Sequence, residues 1–119
     1  MTTKKEFIRY INSTEGANLN NSNTSFSSIN KSKNVWWFTV PVEKFESQVN
    51  LLLKIDIGVF WIVLDVGFVD SIQETFRIRQ DRNAVDLEIN AGSNNFLCDV
   101  KSKGVGFDFK ELAKEVIVY

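Results

Sequence analysis

The stretch VDLEINAGSNNFLCDVKSKG (85–104) holds the residues best placed for chemistry. Asp86 and Glu88 precede a turn, and Asp99 and Lys101 follow it. With AGSN (91–94) as a hairpin loop, Asn90 faces Asn95, Glu88 faces Leu97, Asp86 faces Asp99 and Ala84 faces Lys101. Val85, Leu87, Ile89, Phe96, Cys98 and Val100 then share the opposite, apolar face, and a slip of one residue would mix charged and apolar side chains on both. Two carboxylates placed ~5 Å apart repel by about 3 kcal/mol at an effective dielectric of ~20, and by less than ~1 kcal/mol in water. Lys101 offsets part of that repulsion. A divalent cation such as Mg²⁺ would offset all of it, and a solvated sheet face would need no offset. Both readings stand at this point: a metal site or a wet face.

Asp86, then twelve residues, then Asp99-Val100-Lys101 resembles the D…(D/E)xK core of the PD-(D/E)XK nucleases. The residue before the first Asp is Val85, where that family usually has Pro. The resemblance implies that Asp86 and Asp99 hold Mg²⁺ as metal ligands. It also implies that Lys101 orients or polarises the attacking water as a third catalytic residue, with Glu88 as an auxiliary acid. A metal that lowers the pKa of water and neutralises charge building on phosphate suits such hydrolysis. A helix after the lysine strand, here 108–116, would also suit the fold the resemblance implies.

Other chemistry is sparse. Histidine is absent, which removes Ser–His and Cys–His nucleophile pairs, HExxH zinc sites and imidazole bases. Cys98 is alone and falls on the apolar face, so it reads as an inert core thiol. KSKGVGF (101–107) lacks the pattern of a phosphate loop and reads as a turn. Trp36 and Trp37 point to opposite faces of one strand, and an exposed indole there could stack on a base or anchor a protein. Arg77 and Arg79, on one face of FRIRQDR, could contact phosphate or pair with nearby acids. Lys31 and Lys33 could form a weak basic arm.

These residues must be positioned by short elements. KEFIRYI (5–11) predicts a helix with Phe7, Ile8 and Ile11 on one side. In 12–34, Asn, Ser and Thr make up 15 of 23 residues, which predicts a flexible or irregular segment pinned by Phe26 and Ile29. VWWFTV (35–40), VNLLLKI (49–55), VFWIVLDV (59–66), TFRIRQ (75–80), AVDLEIN (84–90) and NFLCDVKS (95–102) read as strands. VFWIVLDV is apolar on both faces, as a central strand covered on both sides would be. Asp108 and Glu111 predict a capped C-terminal helix, with Phe109, Leu112, Ala113 and Val116 on one face, and IVY (117–119) reads as a short edge strand. The expected fold class is α+β: a mostly antiparallel sheet of about six strands, with a short N-terminal helix and a C-terminal helix packed on it. The expected division is 1–34, short helix plus Asn/Ser-rich segment, and 35–119, a single sheet domain.

At 119 residues and 44% hydrophobic content the chain can bury one core, and its net charge of −1 gives no bulk attraction to nucleic acid. The N-terminal MTTKKEFIRY has no apolar stretch long enough for a secretory signal, and the longest apolar run, GVFWIVLDVGFV with Asp65 inside it, falls well short of the ~20 residues of a membrane helix, which predicts a cytoplasmic chain with no membrane partner. The function expected is a small non-catalytic binding domain that engages a protein or a nucleic acid through Trp36, Trp37, Arg77 and Arg79, without a cofactor. The alternatives are a Mg²⁺-dependent nuclease using Asp86, Asp99 and Lys101, and a small inhibitor or accessory subunit.

Overall fold

Thr3 opens the first helix because its hydroxyl accepts from the Glu6 amide while the Glu6 carboxylate accepts from the Thr3 amide. The helix closes at Gly16, which takes the left-handed conformation. The computed structural model describes residues 1–101 and 106–118. The chain runs α1 (Lys4–Glu15), β1 (Thr24–Ser27), β2 (Ile29–Asn30), β3 (Val35–Pro41), β4 (Val49–Ile55) and β5 (Gly58–Leu64). It continues through α2 (Ile72–Thr75), β6 (Arg77–Arg79), β7 (Ala84–Asn90) and β8 (Ala113–Ile117), with 3-10 turns at Val42–Glu46 and Lys110–Leu112.

The strands form two four-stranded sheets, β1-β4-β5-β8 and β2-β3-β7-β6. Every pairing is antiparallel except β1 with β4. Alternation within the strands stacks the sheets face to face. Trp36, Phe38 and Val40 of β3 and Val85, Leu87 and Ile89 of β7 meet Val49, Leu51 and Leu53 of β4 and Ile62 and Leu64 of β5 in one core. The other face of β4 and β5 is covered as well: Leu52 and Val59, with Val116 of β8, pack against Phe7 and Ile11 of α1. The β1-β4-β5-β8 sheet is therefore a middle layer, and this explains why VNLLLKI and VFWIVL carry apolar residues on both faces. Asn50, fully buried on the helix side, is satisfied by the Trp61 indole N–H (3.0 Å) and by the Asn23 carbonyl (3.2 Å).

Three expectations need correction. The fold is α+β and mostly antiparallel as read, but the described residues hold eight short strands in two sheets rather than about six in one. The C-terminal segment is a 3-10 turn followed by strand β8, where a helix over 108–116 was expected. A nine-residue helix is marginal alone, whereas AKEVI completes a ladder on the open edge of β5 and buries Val116 against α1. Phe109 is still buried, among Phe76 and Phe107. Finally, the Asn/Ser-rich segment supplies β1 and β2, one strand to each sheet, with Phe26 stacked on Phe7 as its anchor; Ile29 stays exposed. Residues 102–105 of the turn expected over KSKGVGF, and Tyr119 at the end of IVY, lie outside the described residues.

Candidate functional site

One sheet face has neither a sheet nor α1 over it: the outer face of β2-β3-β7-β6. Strand alternation places Trp37 and Thr39 of β3 there beside Asp86 and Glu88 of β7, because their neighbours Trp36, Phe38, Val85 and Leu87 face the core. The register sets Trp37 opposite Glu88, Thr39 opposite Asp86, and Arg77 of β6 on the far side of Asp86.

The side chains are joined by charge-assisted contacts. The Trp37 indole N–H donates to Asp86 Oδ1 at 2.7 Å, and the Thr39 hydroxyl lies 3.5 Å from the same oxygen. Lys101 Nζ sits 3.4 Å from Asp86 Oδ2 and 3.3 Å from Glu88 Oε2. Lys33, from the turn before β3, reaches Glu88 Oε1 at 3.2 Å. The Lys33 and Lys101 ammoniums lie 5.1 and 5.0 Å from the centroid of the Trp37 ring, within cation–π range. Asp86 and Glu88 are buried beneath these groups, while Trp37 keeps 39% of its surface exposed.

Asp99 is close by but does not face Asp86. It stands opposite Ile89, three residues from the expected register (89 − 86 = 3), with the Asn90 amide donating to the Cys98 carbonyl at 2.9 Å and the Val100 amide to the Glu88 carbonyl at 2.8 Å. The expected strand NFLCDVKS is broken by left-handed backbone at Asn95 and Leu97, which absorbs the extra residues and drops Leu97 into the core. An odd shift reverses which way a side chain points, so Asp99 turns inward. Its Oδ1 accepts from the amides of Glu88 (3.3 Å) and Lys101 (3.1 Å), standing in for a ladder bond. Its Oδ2 is buried and has no hydrogen-bond partner among the described residues. Gly106 closes over it, since a Cβ there would lie 2.9 Å from the Asp99 carbonyl oxygen. Burial pushes the Asp99 carboxyl above the usual carboxylate range; the two amides oppose this, and the charges of Glu88 and Asp86 add to it.

The structure thus gathers Asp86, Lys101 and Trp37, with Glu88, and sets Arg77 at the margin. Arg79 pairs with Asp81 at 3.2 Å. Trp36 is 1% exposed, edge-on to Phe60 and Phe96, with its N–H on the Lys54 carbonyl. Lys33 and Thr39 were not singled out for this cluster from sequence, although the period-two pattern of VWWFTV already puts Thr39 on the face of Trp37. The residues do not fit a magnesium ion as they are arranged. The Lys101 ammonium bridges Asp86 and Glu88, one Asp99 oxygen is bonded to backbone amides, and the other is sealed from solvent. Among the described residues no group of three or more His, Cys, Asp or Glu side chains is placed to hold a metal.

No protein-family model matches the chain, and neither the curated proteins nor the solved structures give a significant match. No helix among the described residues is long and apolar enough to cross a membrane.

Proposed function

We propose that the chain is a non-catalytic cytoplasmic binding module that engages single-stranded nucleic acid along the outer face of the β2-β3-β7-β6 sheet. The observation that carries this reading is the vertical sorting of the face. Its exposed strand residues include the indole of Trp37 and the guanidinium of Arg77, with Lys33 on the adjoining turn, while its carboxylates, Asp86 and Glu88, lie underneath. A flat indole with cationic neighbours suits a base stacked on the ring and phosphates alongside. The acids are not idle in this arrangement: Asp86 fixes the indole through its N–H, and both acids hold Lys101 beside the ring. The oxygens of Asp86 and Glu88 are engaged by Trp37, Lys101 and Lys33, an arrangement that fixes the indole and its cations and so favours binding.

The local charge is modest. Lys33, Lys101, Arg77 and Arg79 stand against Asp81, Asp86 and Glu88 on and around the face, with Asp99 turned inward beneath it. Affinity should therefore come chiefly from stacking, with a shallow salt dependence of about one to two phosphate contacts, a log–log slope of roughly −0.7 to −1.4. Titration with a labelled single-stranded oligonucleotide at several salt concentrations tests this. Saturable binding with a shallow slope is expected. No binding to the folded protein, or a steep slope that reports many phosphates, would refute it and turn attention to a protein partner.

A further inference from the structure

A second feature lies away from that face. A cleft of about 670 Å³ opens where the start of α1, residues 20–25, the end of β3 and the turn at Val42–Glu46 meet. Its walls are mostly neutral and polar, with Asn20, Asn21, Ser22 and Gln48 among them, and two lysines enter it, Lys4 and Lys44. Lys4 Nζ donates to the Asn21 carbonyl at 3.1 Å and to Asn21 Oδ1 at 2.8 Å, and Lys44 Nζ donates to Ser22 Oγ at 2.8 Å. Neutral acceptors therefore orient both ammoniums without neutralising them. Neither Lys4 nor Lys44 forms an ion pair among the described residues, although Glu43 lines the same cleft. Burial, and then the charge of Lys44, hold the Lys4 ammonium below its ordinary value, so the pair is close enough to interact unfavourably.

We propose that this cleft binds a small phosphate monoester bearing hydroxyl groups, the phosphate held by Lys4 and Lys44 and the hydroxyls by the amide and hydroxyl side chains of the wall. Two ammoniums lining one cleft, held by the adjacent residues Asn21 and Ser22, match a doubly charged phosphate group. The volume is that of a small-molecule site, and walls of this polarity match a sugar-like body better than an apolar one. The repulsion between the lysines, a cost to the empty cleft, is relieved by the bound anion.

Glucose 6-phosphate, inorganic phosphate and glucose serve as probes, titrated at constant ionic strength and followed by the unfolding midpoint and by the amide resonances of residues 20–25. The sugar phosphate should bind saturably and more tightly than inorganic phosphate, and glucose should give no shift at that concentration. Lys4→Gln and Lys44→Gln should each weaken binding at least tenfold while leaving the ligand-free midpoint unchanged or higher, a combination a purely structural lysine would not give. Trp37→Ala should leave this binding intact, which separates the cleft from the outer sheet face. Absence of saturable binding by the folded wild type, undiminished affinity in both lysine variants, or equal affinity for inorganic phosphate and the sugar phosphate would overturn the proposal.

Discussion

Asp99 and Asp86 show how two carboxylates close in space come to opposite roles. Asp99 is buried under Gly106 with one oxygen bonded and one without a partner among the described residues, and its carboxyl is pushed up by that burial. A raised folded value means that its contribution to stability is fully present below the ordinary carboxylate value of about 3.9 and is lost as pH rises through the folded value. Asp99→Asn keeps the oxygen that accepts from Glu88 and Lys101 and removes the buried charge. Thermal unfolding from acidic to neutral pH should show a flatter profile for this variant and a midpoint above wild type at neutral pH. A parallel profile would contradict the assignment. Asp86 is instead held by Trp37 and Lys101. Asp86→Ala leaves the indole N–H and half the pairing of a mostly buried lysine unmatched, so chemical denaturation should report a loss of about 1–3 kcal/mol. A metal site built on repelling carboxylates would give the opposite sign, a gain in stability. The sequence showed that Asp86, Glu88 and Lys101 would share a region, since their spacing in AVDLEIN and DVK is local. It could not show that Asp99 turns inward, because that follows from positive φ at Asn95 and Leu97, and neither residue type announces it.

At the scale of elements, β3, β4 and β7 were legible almost to the residue, because each is a seven-residue run with its own alternation or double-sided apolar pattern. The C-terminal strand was not. DFKELAKEV satisfies the helical period as well as AKEVI satisfies a strand, and only the vacant edge of β5 decides between them, a tertiary fact. Gly58 is where that decision is enforced. A Cβ at this position would sit 1.9 Å from the Val116 carbonyl oxygen, inside the β5–β8 ladder. Gly58→Ala must push β8 outward or twist it, and a cost of about 1–3 kcal/mol is expected from equilibrium unfolding. Amides of 113–117 should exchange faster in the variant than those of β3 and β7. Uniform exchange across both sheets would mean that β8 is not held as described. The segment 12–34 was hidden for a related reason. Its Asn and Ser side chains suggest turns, and they do form turns, but four residues, Thr24 to Ser27, are recruited by β4 in a parallel pairing that no local pattern encodes.

For the whole molecule, the layering assigns the surfaces. One sheet is covered by α1 on one side and by its partner sheet on the other, and among the described residues this leaves the outer face of the partner sheet, which carries Trp37 above its buried acids. A net charge of −1 would not suggest an anionic partner, but on that face the cations lie at the surface and the acids Asp86 and Glu88 lie buried. The tryptophans offer an internal comparison. Trp36 is core, Trp61 is tied to Asn50 on the α1 side of the other sheet, and only Trp37 is both on the outer face and exposed. Fluorescence anisotropy of a labelled oligo-dT, titrated with wild type, Trp37→Ala and Trp61→Phe at fixed salt, is the most direct measurement. Loss of one stacking contact should weaken Trp37→Ala by about 1–3 kcal/mol, roughly 5- to 150-fold, with Trp61→Phe binding as wild type. Equal affinity of Trp37→Ala and wild type, with both proteins folded by circular dichroism, would contradict the account.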